Sequence, residues 1–470
     1  MQKSFPVFDC DAHVVEMPYL FSNYVSEREQ DLLRDYYYQD SEMAEMGGQG
    51  IFNGKRTMWA TPGYRTAGAG GSIRGPGFGK GVQRALQRRM GSGLLTAEQI
   101  DFMDHKGVRD PHARISDMEY MGIDQVLVIP TMINAYLPFV ENAHAAAVVA
   151  RAYNDWVYDY CQAYPDRLYP CGIISVQDPI LAVRELRRIA SRGFPVVAIR
   201  PIDALGRYPN HPTFEPMWNA IEETGLVVGM HTFPAGHSPF PSNTNGTQFS
   251  PGEIVHLSGV DSQVAGFQFE AVTWTAFTVL SGFLDRHPDI KMTIFESSAT
   301  WLPFVLDACD AAFKRYAGER VHRGNRLPSE AFHQQCKISF ESDETLVFEM
   351  HEYFHDVTIW ASDMYHHDAE DAWEAIELME KAGVPEDRMV KMLSTNAANL
   401  YGIEPKLFVK DYKKFTPPDW FPLPDEDEVR EATRPMPLGE LRTRRVVDAG
   451  ADYINNIIRL APAGADAEVH

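Results

Sequence analysis

Phe5 to Glu16 reads FPVFDCDAHVVE. A short apolar run of strand character ends in Asp9, Asp11 and His13, spaced two apart, and on a strand residues two apart share a face. The spacing predicts two carboxylates and an imidazole pointing together from the end of a buried strand. Left unpaired there they would cost several kcal/mol. A divalent cation is the simplest counter-charge, and an Asp–His hydrogen bond in the core is the alternative that this segment alone leaves open.

Runs of the same kind recur downstream. Gln125 to Pro130 (QVLVIP), Leu168 to Val176 (LYPCGIISV), Pro195 to Arg200 (PVVAIR), Leu226 to His231 (LVVGMH), Ile290 to Glu296 (IKMTIFE), Lys337 to Glu341 (KISFE) and Val357 to Asp363 (VTIWASD) are apolar, and each precedes a segment of helical periodicity. With the first run they make eight strands. Continuous apolar strands alternating with helices predict an α/β fold with a parallel sheet, and eight units predict a closed (β/α)8 TIM barrel. In such a barrel the chemistry sits at the C-terminal strand ends, where this chain places Asp11, His13, Arg200, His231, Glu296, Glu341 and Asp363. An open doubly wound sheet competes, but no G-x-G-x-x-G or P-loop pattern follows a strand.

The barrel is assigned to residues 1–403, with an insertion at about 20–115 after the first strand, and residues 404–470 form a C-terminal extension. From Gly47 to Ala97 the insertion is rich in glycine and carries Lys55, Arg56, Arg65, Arg74, Lys80, Arg84, Arg88 and Arg89 without an acidic residue. Such a block reads as a lid carrying cations to an anionic substrate, as an arm docking on an acidic subunit, or as a solvated loop. The extension holds PPDWFPLPDEDE and a mixed helical stretch near Tyr453 to Leu460, and is expected to wrap the barrel or a neighbouring subunit in a homo- or hetero-oligomer.

The 470 residues carry a formal net charge of -22, which argues against nucleic-acid partners and anionic membrane surfaces. No apolar run approaches the roughly 20 residues of a membrane span, and no basic-then-apolar leader opens the sequence, so a cytoplasmic location is expected. Cys10, Cys161, Cys171, Cys309 and Cys336 form no C-x-x-C pair and are read as reduced, buried thiols.

In a closed barrel the last strand neighbours the first, so Asp11, His13, His231 and Asp363 form one ligand set of two imidazoles and two carboxylates. That set suits zinc, iron or manganese. Glu296 ends an apolar strand and needs a cation or a proton, or else a salt bridge to Arg200. With Asp11, Asp363 and either His366 or His367 it could hold a second ion. His237 and His256 are reserve candidates, and Glu16, three residues past His13, could orient a ligand imidazole.

At this point the sequence resembles the amidohydrolase superfamily, in the branch typified by aminocarboxymuconate semialdehyde decarboxylase. D-x-D-x-H resembles the family's D-x-H-x-H, and RHPDIKMTIFESSATWLPFVLD, WASDMYHHD and STNAANLYGI resemble its sixth-strand, eighth-strand and final-helix motifs. The resemblance covers about residues 5–16 and 116–403. It implies that Asp11 and His13 are the first-strand ligands, His231 the fifth-strand ligand and Asp363 the eighth-strand ligand, with Asp9 supporting them from below. Two departures stand out: Asp11 occupies the place of the first histidine, and Glu296 that of the histidine which activates water in the decarboxylases.

Three functions follow. Glu296 and the extra histidines point to a dinuclear iron or manganese site that hydroxylates a small carboxylate with dioxygen, as in the aminoisobutyrate hydroxylase-like group of this superfamily; Glu296 and Asp363 would then be catalytic, and an electron-transfer partner would be required. A mononuclear hydrolase or decarboxylase is the alternative. A silent barrel that stabilises an active paralogue is the third. Arg200 and the basic insertion offer recognition of an anionic substrate.

Overall fold

Valine, isoleucine and leucine dominate the runs read as strands, and residues of that type pack best on a pleated surface covered from both sides. The computed structural model describes residues 1–14, 23–33, 51–52, 55–56, 79–103, 105–131, 133–134, 137–202, 204, 207–232, 261–316, 325–366 and 369–434. Its barrel strands are β1 (Phe8–Val14), β2 (Gln125–Pro130), β3 (Leu168–Ile173), β4 (Val196–Ile199), β5 (Val227–His231), β6 (Met292–Phe295), β7 (Cys336–Phe340) and β8 (Thr358–Trp360). They pair in sequence order, all parallel. The ring closes where the His13 N–H donates to the Met364 carbonyl and the Asp363 N–H donates to the Asp11 carbonyl at 3.1 Å. The eight-stranded TIM barrel is therefore present.

Most strands are shorter than the apolar runs that announced them, while β2 matches its run and β7 is shifted by one residue. Glu296 and Asp363 lie just beyond β6 and β8 with φ of 45° and 51°, in the left-handed region that L-residues other than Asn and Asp seldom enter. The chain thus turns sharply off the sheet at two of the expected ligands. Strain of this kind persists where surrounding structure enforces it, and it clusters at functional sites.

One expectation about β1 is corrected. Asp9 pairs with Val126 while Ala12 pairs with Val128, so three residues of β1 face two of β2. This bulge breaks the alternation that would set Asp9, Asp11 and His13 on one face. Asp9 instead accepts from the Ser362 N–H at 3.0 Å, the Ser362 hydroxyl at 2.5 Å and the Asp11 N–H at 3.1 Å.

Four helices position the rest: α1 (Gly79–Gly91) in the insertion, α2 (Pro111–Met121), α3 (Asp261–Leu280) after β5, and α4 (Glu426–Thr433) in the extension. Asp110 caps α2 by accepting from the His112 N–H, Pro111 supplies a fixed φ in the first turn, and Gly122 ends it at φ 76°. Insertion and extension pack on each other. Leu86, Leu95, Met103 and Phe421 form a small second core, the Arg89 Nε donates to Glu428 at 2.8 Å, and Arg88 donates to the Glu431 carbonyl at 2.9 Å. Two cations of the basic block thus meet this chain's own extension. The stretch Tyr453–Leu460, Arg65 and Arg74 lie outside the described residues.

Under the barrel the first residues are stitched to the start of the extension. The Lys3 N–H donates to the Lys410 carbonyl and the Tyr412 N–H to the Met1 carbonyl, both at 3.0 Å. The Lys3 ammonium is buried against Asp124, which also accepts from the N–H groups of Val7, Phe408 and Val409 at 2.6–2.7 Å. Among the described residues no helix is long and apolar enough to cross a membrane. All five cysteines are buried and none forms a disulfide.

Candidate metal centre

At the mouth of the barrel four strand ends deliver acceptors to one point. The His13 Nε2 lies 3.1 Å from Asp11 Oδ1, 3.3 Å from Asp363 Oδ1 and 3.3 Å from the His231 Nε2. The His231 Nε2 lies 3.7 Å from Asp11 Oδ2 and 3.5 Å from Glu296 Oε2. Asp11, His13, His231 and Asp363 are buried.

Hydrogen bonds on the far side of each ring fix where its proton sits. The His231 Nδ1 lies 2.6 Å from the Thr232 carbonyl, which only accepts, so Nδ1 carries the hydrogen. The Thr131 hydroxyl donates to the Val14 carbonyl at 2.7 Å, which leaves its oxygen to accept from the His13 Nδ1 at 3.1 Å. Both Nε2 atoms therefore present lone pairs to each other and to the carboxylates. Burial drives the His13 pKa down to about 3, helped by the Arg114 charge, and that of His231 down to about 4, so neither ring takes a second proton at neutral pH. Burial pushes the Asp11 carboxyl upward, and its Oδ1 has no hydrogen-bond donor. Converging acceptors with no hydrogen among them repel one another unless a cation lies between them, and this donor set fits a divalent transition metal.

A second ligand group shares His13. His13, Asp363 and His366 bring ligand atoms within 4.8 Å of one another, as do Asp11, His13 and His231. The His366 Nδ1 lies 2.8 and 2.9 Å from the two Asp363 oxygens and 4.0 Å from Glu296 Oε1, and its ring stacks on that of His13 at 4.0 Å. Glu296 is held by its backbone: its N–H donates to the Ser339 hydroxyl at 3.1 Å and its carbonyl accepts from the Thr232 hydroxyl at 2.6 Å.

The structure thus brings Asp11, His13, His231, Glu296, Asp363 and His366 together and sets Asp9 below them on Ser362. Glu16, His367, His237 and His256 lie outside the described residues. Arg200 reaches the same end of the barrel, where its guanidinium donates to Glu270 of α3 at 2.8 Å, both side chains buried. Its charge is offset inside the protein, which weakens the case for Arg200 as a free cation. With Asn134 it edges an apolar pocket lined by Leu137, Ile173, Val176 and Ile199.

Sequence reasoning missed Thr131, Ser362, Glu270 and Arg114. Thr131 directly follows the strand QVLVIP and Ser362 precedes Asp363, so the strand-end rule that found the ligands could have found both. Glu270 and Arg114 sit inside helices, where nothing in the spacing separates them from surface charges.

A family model described as Amidohydrolase matches residues 8–403. The gamma-resorcylate decarboxylase of a Rhizobium species is 22% identical over 326 residues, which cover 67% of this chain and 93% of that protein. Among solved structures, 5-carboxyvanillate decarboxylase from Sphingomonas paucimobilis is 20% identical with a TM-score of 0.55, covering 85% of this chain and all (100%) of that one. An amidohydrolase from Mycobacterium avium subsp. paratuberculosis is 19% identical with a TM-score of 0.62, over 85% and 100%. The 5-carboxyvanillate decarboxylase of Novosphingobium aromaticivorans, 18% identical with a TM-score of 0.57 over 85% and 97%, was crystallised with manganese and a nitrobenzoic acid.

Proposed function

The chain belongs to the amidohydrolase family, and we propose that within it this protein is a metal-dependent decarboxylase of a small aromatic carboxylate. The observation that carries this reading is the convergence of Asp11, His13, His231 and Asp363 with both Nε2 lone pairs turned inward. The named relatives that act on aromatic acids support the substrate class, and the manganese of one of them supports the metal.

Asp11, His13, His231 and Asp363 would hold one divalent ion, which supplies a Lewis acid for a carboxylate and an adjacent oxygen. Loss of carbon dioxide leaves the bonding electron pair on a ring carbon, and that carbon takes a proton. Glu296, on a sharp turn beside His231, holds that proton on its carboxyl oxygen, and the Asp363–His366 pair lies within reach to return it. The test is carbon dioxide release from 2,6-dihydroxybenzoate and 5-carboxyvanillate by manganese-loaded protein under nitrogen. Product formation without oxygen is expected; an inert protein with manganese bound, tested across such acids, overturns the reading.

A second reading has one specific observation in its favour, the group His13, Asp363 and His366 overlapping the first, with Glu296 beside both. His13, Asp363 and His366 would then hold a second redox-active ion beside the first, and the pair would supply hydroxylation by dioxygen only with an external two-electron reductant, one oxygen atom entering the substrate and the other leaving as water. Oxygen uptake by iron-loaded protein, coupled to hydroxylation of a carboxylate, would favour it over carbon dioxide release.

A further inference from the structure

Behind His13, away from the mouth, lies a guanidinium that forms no ion pair with a carboxylate among the described residues. Arg114 of α2 has none of its surface exposed. Its Nη2 donates to the His13 carbonyl, and its Nε donates to the Tyr160 hydroxyl at 2.7 Å and the Gly107 carbonyl at 3.3 Å. Nη1 makes no hydrogen bond. The guanidinium carbon lies 4.9 Å from the ring centre of Tyr365, two residues past Asp363, and 5.6 Å from that of Tyr160. Among the described residues its contacts are neutral oxygens and aromatic faces, and the Tyr365 hydroxyl donates in turn to Asp117 of α2 at 3.0 Å.

Burying a cation without an anion within ion-pair distance is expensive, and proteins retain such a group where a field elsewhere offsets it. Asp11, Glu296 and Asp363 gather on the opposite side of His13, and Arg114 grips the backbone of that residue and flanks the loop that carries Asp363. Asp9 has its own three hydrogen bonds, and Asp117 accepts from Tyr365.

We propose that Arg114 is the fixed counter-charge of the metal centre, a buried cation that offsets the carboxylates gathered on the far side of His13. The inference rests on the one-ion reading above. Its positive field eases the entry of an anionic acid, which the same carboxylates repel more strongly without it. Arg114 touches neither substrate nor ion, so it acts through the field and through His13.

The counter-charge makes a prediction that structural damage does not imitate, because deleting a nearby positive charge must strengthen binding of a cation. Manganese affinity, measured on the full chain by competition with a chelator, is expected to rise by about tenfold or more in Arg114→Gln. Arg114→Lys, which keeps the charge and loses the fork of hydrogen bonds, is expected to stay within about threefold of the parent. Folded Arg114→Gln protein that binds manganese no more tightly than the parent overturns the proposal. So does a Lys variant that gains affinity, since it retains the charge; if the Gln variant does not fold, the Lys variant alone decides. Manganese content of the unaltered protein separates the two layers: one ion per chain with no gain in Arg114→Gln sinks only the counter-charge, whereas two ions per chain sink the one-ion reading as well.

Discussion

On the underside of the barrel Asp124 is buried with a donor on each oxygen: Oδ1 accepts from the N–H groups of Phe408 and Val409, and Oδ2 accepts from the Val7 N–H and the Lys3 ammonium. At the mouth Asp11 is buried as deeply, yet its Oδ1 faces the proton-free Nε2 of His13 and has no donor. Both carboxylates sit next to barrel strands in the same sheet. Burial is therefore not what marks a site; an excess of acceptors over hydrogens is. The underside answers its charge with the protein's own groups, whereas the mouth leaves the answer to something the protein must bind.

The sharpest way to break this contrast is to remove a mouth ligand while preserving its shape. Asp363→Asn suits the purpose because asparagine tolerates φ 51°. It is expected to lower manganese affinity by at least about a hundredfold with the melting temperature maintained or raised, as measured by chelator competition and calorimetry. If the fold collapsed instead, Asp363 would belong with Asp124. The reciprocal variant, Asp124→Ala, strands the Lys3 ammonium and three N–H groups. Denaturant titration should show a loss of about 3–5 kcal/mol with manganese per folded chain unchanged.

Two smaller effects refine the picture. Thr131→Val removes the oxygen that accepts from the His13 Nδ1, freeing the imidazole to turn or to change tautomer. Metal affinity should fall roughly tenfold, and stability should barely move. Glu344 is a mouth-side carboxylate answered from within, accepting from the Ala299 N–H at 2.8 Å and the Glu341 N–H at 3.1 Å. Burial raises its pKa from 4.5 to about 7, so the folded chain holds this proton more tightly than the unfolded chain. Its contribution to stability therefore falls as pH rises from about 4.5 to about 7 and is level above that window. Glu344→Gln lacks that slope. Relative to the parent it should gain about 2–3 kcal/mol in melts at pH 8 compared with pH 5.

Much of the mouth was legible because barrel chemistry and strand patterning write themselves locally: an apolar run ends, and the next polar side chain faces the axis. Asp11, His13, His231, Glu296 and Asp363 were all found that way. What escaped depends on register and on distant partners. The bulge that turns Asp9 toward Ser362 is a mismatch between β1 and β2, and neither strand alone contains it. Arg200 was read as a free cation because its partner lies 70 positions later on α3. Arg114 occupies a capped helix whose spacing looks like any other, and only the packing of Tyr160, Tyr365 and His13 around it reveals a sealed charge. The basic block of the insertion gave its charge but not its address, since the Glu428 that meets Arg89 comes 339 positions later.

The stitching of residues 1–3 to residues 408–412 has a consequence for synthesis. A ribosome releases β1 early, but the N–H groups that complete the cradle of Asp124 belong to Phe408 and Val409 and emerge long afterward. Throughout that interval the nascent chain carries a half-built floor, with the ammonium of Lys3 and its partner open to water. Sealing thus waits for residues 408 and 409, and a chain truncated just after Ile403 would keep every mouth ligand yet lack the N–H groups that close the cradle of Asp124.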